Sequence, residues 1–231
     1  MRSDPGPALR LTGPSALLVL TGAERPGAAT ATGLARVHDR TVALHGWRTA
    51  DTTLRLLRSV AGPPTLRPYS ATLHAAQMLE DDAPGTAALC GLARTLLAPG
   101  ERRRTLARFV VTAAERRLTQ APALPAEDVV ALRTVLALAA DHPDDAAVLA
   151  PLFLGVHEHG AGTVLHLPDG APLAVVRGHL DLTVSTSAAR LAFGGLRNSG
   201  DTNGEFTAAL RPTSPRRTTS DELRTDAAAA S

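Results

Sequence analysis

Four of the eight histidines, His157, His159, His166 and His179, fall close together with Glu158, Asp169 and Asp181 among them. Imidazole and carboxylate are the donors from which zinc and iron sites are built. Alternate residues of an extended strand point to the same face. His157 and His159 would therefore present two imidazoles together, and His179 and Asp181 would do the same on a neighbouring strand. The candidate metal ligands are His157, His159, His166, His179 and Asp181. No cofactor is specified by this pattern beyond a divalent metal such as zinc or iron.

Other chemical signals are weaker. The His-x-His spacing ahead of a hairpin is that of the first cupin motif, but the glutamate expected a few residues later is missing from Gly160 to Val164. No family membership is expected on that ground. The segment from Gly22 to Ala29 follows an apolar strand with the glycine spacing of a phosphate-cradling loop. Ala28 and Ala29 stand where that loop needs a lysine and a hydroxyl, so it reads as a plain Gly/Pro-rich connection. Arg102, Arg103, Arg104, Arg108, Arg116 and Arg117 crowd one helix, yet no aromatic platform interleaves with them for base stacking. They read as a solvated face. Glu80, Asp81 and Asp82 have no second acidic motif to answer them. Cys90 lies on an apolar helix face and reads as a small core residue, and one cysteine excludes an intrachain disulfide.

All 24 basic residues are arginine, isoleucine is absent, and only Asn198 and Asn203 represent asparagine. A GC-rich gene writes such a chain by default, which discounts arginine runs and alanine-rich helices as signals. Net charge is +2, so no polyanion partner is implied. Aromatics are 3% of a chain that is 44% apolar, leaving leucine, valine and alanine to build the interior. No segment approaches the ~18 apolar residues of a membrane span, and no signal-peptide core is evident.

The elements that would position the histidines follow from periodicity. Leu9 to Leu11 and Ser15 to Thr21 read as strands, and Arg36 to His38 with Thr41 to Gly46 as a hairpin across Asp39-Arg40. The centre reads as about six helices. The first is capped by Asp51, the second by Ser70. The third carries Leu89, Leu92 and Leu96, and the fourth runs from Glu101 to Thr119. The fifth begins with Glu127 and Asp128, and a short sixth starts at Pro143. Thr163 to Leu167 and Leu173 to Val176 flank the turn Pro168-Asp169-Gly170 and read as a second hairpin. His179 to Ser185 alternates cleanly as a final strand.

The expected fold is α+β, a central helical region flanked by short N-terminal strands and a C-terminal β-hairpin plus strand. Residues 1–196 are read as one domain, with 1–7 a disordered lead-in and 197–231 a disordered tail. The open question is whether the two strand regions join, which would bring His38 or His45 near the C-terminal histidines. Without a convergent catalytic set, the sequence favours a cytoplasmic, non-catalytic accessory or regulatory protein with a protein partner. The alternative is a small metal-dependent enzyme or metal-binding protein using the histidine group. A second alternative is a nucleic-acid binder acting through the arginine-rich fourth helix.

Overall fold

In the computed structural model, residues 8–15, 17–21, 32–60, 83–98, 100–120, 124–184 and 190–191 are described. Nine strands are found among them: β1 (Ala8–Thr12), β2 (Leu18–Thr21), β3 (Gly33–Val37), β4 (Thr41–Trp47), β5 (Leu154–His159), β6 (Val164–Leu167), β7 (Pro172–Arg177), β8 (His179–Val184) and β9 (Arg190–Leu191). Between β4 and β5 stand helices α1 (Ala50–Val60), α2 (Ala83–Leu97), α3 (Glu101–Gln120) and α4 (Ala126–Asp141), then a 3-10 helix over Ala146–Leu152. The α+β class and the central position of the helices agree with the sequence reading. The second expected helix, from Ser70, lies outside the described residues, as do the phosphate-loop candidate, the Glu80 acidic patch and the tail.

The strands form two antiparallel sheets, one in the order β1-β8-β3-β6 and the other β5-β4-β7-β2-β9. N-terminal and C-terminal strands are interleaved in both, so the two strand regions do join. Arg10 lies opposite Asp181 in the four-stranded sheet, and Ala43 lies opposite His157 in the five-stranded one. The pairing within the expected hairpins differs from the sequence reading. β3 pairs with β8 and β6, whereas β4 pairs with β5 and β7. Likewise β6 joins β3, while β7 joins β4 and β2. The tight turns at Asp39-Arg40 and Pro168-Asp169-Gly170 are therefore corners where the chain crosses between sheets. Alternation in a sequence marks a strand and its two faces but leaves its partner open. A third such corner is Gly178, at φ 86°, where a Cβ would lie 2.5 Å from Thr41 Oγ1.

Each sheet has one face turned to the other. β3 buries Gly33, Ala35 and Val37 and exposes the residues between. β8 does the same with Leu180, Leu182 and Val184. Facing them from the five-stranded sheet are Leu18, Leu20, Ala43, Leu173 and Val175. The opposite face of the five-stranded sheet carries Leu44, Leu154 and Ala174 into a second core with the helices, centred on Leu56, Leu92, Leu132 and Phe153. The helices thus lie on one side of a two-layer β-structure.

Helix α1 starts at Thr49, not at the expected Asp51 cap: Thr49 Oγ1 accepts from the Thr52 backbone N–H at 3.2 Å. Asp51 sits in the first turn, where it favours the helix dipole. The sixth helix is capped by Asp145, whose side chain accepts from Ala147 N–H at 2.8 Å. Asp128 is buried at the start of α4 and takes a bidentate ion pair from Arg55 on α1, both bonds at 3.0 Å. A buried carboxylate needs such a partner.

Candidate functional site

β4 and β5 meet in antiparallel register, with Thr41 opposite His159, Ala43 opposite His157 and His45 opposite Gly155. Leu44, Leu154 and Val156 go to the helical core. By alternation, Ala43, His45, Gly155, His157 and His159 share the other face, the one that Ala43, Leu173 and Val175 turn toward the four-stranded sheet. β5 ends its sheet, so these histidines form a rim beside the aliphatic interior.

The three rings are stacked, with centroids 4.2 Å apart for His45–His157, 5.1 Å for His45–His159 and 6.2 Å for His157–His159. His45 Nε2 and His159 Nε2 are 3.0 Å apart. Without metal this is a hydrogen bond, one ring donating its N–H and the other accepting. His157 lies over Gly155: a Cβ there would stand 2.4 Å from His157 Nε2 and 3.0 Å from the His45 carbonyl oxygen. Burial, then the charges of His157 and His159, lower the His45 pKa from 6.5 to about 4. Burial, then His157, lowers that of His159. Both rings are held neutral near pH 7, the form in which imidazole binds metal.

A second histidine group lies on the other sheet. His38 Nε2 is 2.7 Å from Asp181 Oδ2, and His179 Nδ1 is 3.0 Å from Asp39 Oδ2. The two rings stack at 5.4 Å. Arg10 Nε donates to Asp181 at 3.1 Å, and Asp39 accepts from His179 N–H at 3.0 Å and from Thr41 Oγ1 at 2.9 Å. The Asp39 pKa is lowered, first by the His179 backbone N–H and then by Thr41. That of Asp181 is lowered by Arg10 and then His38. Every carboxylate here already serves its neighbours.

The structure thus divides the candidate ligands. His157 and His159 stay together and are joined by His45, which the sequence reading left outside the set. His179 and Asp181 share a strand of the four-stranded sheet with His38 and Asp39 beside them. His166 is exposed on β6, opposite Leu34. What brings in His45 is strand pairing across a helical insertion. Only the alternation of Ala43 and His45 with Leu44 could have signalled its face. Among the described residues, no group of three or more His, Cys, Asp or Glu donors converges to hold a metal ion. The His45–His159 pair comes nearest. Two nitrogens ~2.0–2.1 Å from one tetrahedral zinc are about 3.3 Å apart, close to the observed spacing.

The remaining candidates have structural roles. Arg104 pairs with Glu101 at 2.5 Å, Arg108 pairs with Asp144, and Arg103 Nε donates to the Thr95 carbonyl at 2.7 Å. Burial pushes the Cys90 thiol pKa up, away from the thiolate a nucleophile requires. Among the described residues, no helix is long and apolar enough to cross a membrane.

No protein-family model matches the chain, and no curated protein matches it. Solved structures do share its architecture. A variant of phosphomannose isomerase from Salmonella typhimurium superposes with a TM-score of 0.57 at 17% identity, covering 88% of this chain and 52% of that one. A zinc-bound mannose 6-phosphate isomerase gives 0.55 at 19% identity, covering 80% and 50%. A form bound with zinc and yttrium gives 0.55 at 18%, with the same coverage. The chain spans about half the length of these proteins, and at such identity the likeness establishes the fold. It also corrects the expectation of a non-catalytic accessory protein with a protein partner. These neighbours are enzymes, named as isomerases of mannose 6-phosphate or phosphomannose. The sequence misled because its histidine group mixed residues of two sheets, and His45, which stacks on His157 and His159, lies over a hundred residues away in the chain. What this chain is similar to, over four-fifths of its length, is the fold of zinc-bound sugar-phosphate isomerases.

Proposed function

We propose that this chain is a divalent-metal-dependent enzyme or metal-binding protein acting on a small polar molecule. Its metal, zinc or iron, is held by His45 and His159 with His157 beside them. The observation that carries the reading is the 3.0 Å separation of the His45 and His159 Nε2 atoms on adjacent strands. Support comes from the neutral state of these rings and from the zinc-bound proteins that share the fold. Two imidazoles leave coordination positions of a divalent ion open to water and to a ligand. The chemistry supplied at such a site is Lewis-acid polarisation of a carbonyl or hydroxyl oxygen. A phosphorylated sugar is the substrate class to test first, on the strength of the neighbours' names.

The test is metal content by elemental mass spectrometry on protein purified without a His tag. Near-stoichiometric zinc or iron in the wild type, absent from His45→Gln/His159→Gln, is the expected result. A wild type that carries no metal, and gains no thermal stability when zinc or iron is added, sinks the reading.

A further inference from the structure

Helix α3 enters the helical core through Ala107, Val110 and Ala114, and its opposite face is exposed. The exposed positions recur every seven residues, nearly two turns, so like positions line up along the helix. Arg108 and Glu115 form one flank of this face, Phe109 and Arg116 the other, and Thr105, Thr112 and Thr119 run between them. Phe109 is 44% exposed, although the chain has only four phenylalanines and builds its interior from aliphatic side chains. An exposed aromatic beside arginine is the composition found at the centre of protein interfaces. The charges on this face have capacity to spare. Among the described residues Glu115 and Arg116 make no ion pair, and Arg108 uses only Nη2, toward Asp144. The threonines need no outside partner: Thr112 Oγ1 donates to the Arg108 carbonyl at 3.1 Å, and Thr119 Oγ1 to that of Arg116 at 3.0 Å.

This face is complementary to itself. When two copies of a helix pack antiparallel about a twofold axis, each flank meets its own counterpart, and residues before the axis meet residues after it. With the axis at Thr112, Arg108 lies opposite Glu115 of the second copy, and Phe109 lies opposite Arg116 of the second copy. Symmetry makes each contact twice. The first is an ion pair, and the second sets a guanidinium against an aromatic face. Along the middle Thr105 meets Thr119, and these short side chains let the two helices approach closely. The register is selective. An axis at Phe109 would set Arg108 against Arg108 and Arg102 against Arg116, like charge on like.

We propose that a second copy of this chain docks on the exposed face of α3, antiparallel about a twofold axis at Thr112, with Phe109 against Arg116 and Arg108 against Glu115. From Thr105 to Thr119 the face is about 21 Å long, at a rise of ~1.5 Å per residue. One helix pair of that length is small for an interface, so the dimer is a transient one. It does not depend on the function proposed above.

Sedimentation velocity of the full chain over a concentration series tests it. The wild type should pass from monomer to dimer in the micromolar range, and Phe109→Ala should weaken the dimer at least about tenfold. Arg108→Glu and Glu115→Arg should each lose self-association, because each sets like charges against one another across the axis. Mixed together, the two variants should associate, since every contact between unlike copies then pairs an acid with a base. A wild type that stays monomeric at about 1 mM overturns the proposal. So does a dimer that survives both charge substitutions, or a mixture of the folded variants that does not associate. Should either variant fail to fold, Thr112→Cys in a Cys90→Ala background decides. Mild oxidation should link two copies through the new thiols, and a chain that stays unlinked at concentrations where the wild type is dimeric places the interface elsewhere and overturns the proposal.

Discussion

The two histidine groups are built from the same residue type on strands of one β-structure, yet their surroundings differ. On the four-stranded sheet each ring faces a carboxylate, His38 with Asp181 and His179 with Asp39. On the five-stranded sheet His45, His157 and His159 face one another. His45 and His159 are half-buried, and among the described residues no carboxylate is bonded to their rings. Glu158, between the last two in sequence, is held by Arg40. Burial beside other imidazoles favours the neutral ring of His45, while in the other group each ring nitrogen near a carboxylate is already engaged by it. Acidic neighbours therefore separate a carboxylate-bonded group from a donor group.

The largest effect tests the frame that both groups share. Leu182 and Asp181 are successive residues of β8, one facing inward and one outward. Leu182→Ala should cost ~2–5 kcal/mol of stability by chemical denaturation, as buried leucine truncations do. An effect as small as that of a surface substitution would show that the sheets are not packed as described.

Next comes metal binding by the carboxylate-bonded group. His38→Gln/His179→Gln should leave metal affinity unchanged to within about threefold, where the rim substitutions abolish it; the allowance reflects the ordinary scatter between surface variants. Metal lost from this variant would exchange the roles of the two groups. Gly155→Ala sharpens the point further. Its methyl group would occupy the place of the His157 ring and press on the His45 carbonyl, so metal affinity should fall about tenfold. A circular dichroism spectrum that stays as in the wild type would confine the change to the rim.

Acid should act on the two groups in different windows in metal-free protein. The folded pKa of His45, about 4, lies below its ordinary 6.5, so the unfolded chain binds more protons between these values. Stability should fall as pH drops from 6.5 toward 4, the loss being complete below 4. Asp39 and Asp181 are depressed below 3.8, so the stability they contribute persists above that value. It is lost as pH falls through their folded pKa values. Melting curves at closely spaced pH should resolve the two phases, and His45→Gln should diminish only the upper one, leaving the part that His159 contributes. The smallest effect belongs to Asp181→Asn. The ion pairs it breaks are surface ones, and the melting temperature should drop by no more than about 2 °C. A larger drop would mean that the His38–Asp181 pair anchors the sheet.

Much of the fold was legible in the chain. Leu54, Leu57 and Val60 mark α1, and Val129, Leu132 and Leu136 mark α4, because a helix satisfies its hydrogen bonds within its own segment. The β8 alternation of His179, Asp181 and Thr183 with Leu180, Leu182 and Val184 told inside from outside just as directly. What failed was pairing. Thr41 to Gly46 and Leu173 to Val176 looked like halves of local hairpins, whereas β4 and β7 pair with each other across more than a hundred residues of chain.

The candidate site was lost with the pairing. His157 and His159 were visible as a same-face pair from their spacing alone. The ring nearest to them in space, His45, enters by a register that no local signal encodes. The sequence by itself determined the helices, the faces of the strands and the aliphatic interior, since each depends on residues a few positions apart. Only the tertiary structure decided which strands are neighbours, which histidines meet, and which of them face a carboxylate. A strand's hydrogen-bonding groups are satisfied by whichever strand the two cores bring beside it.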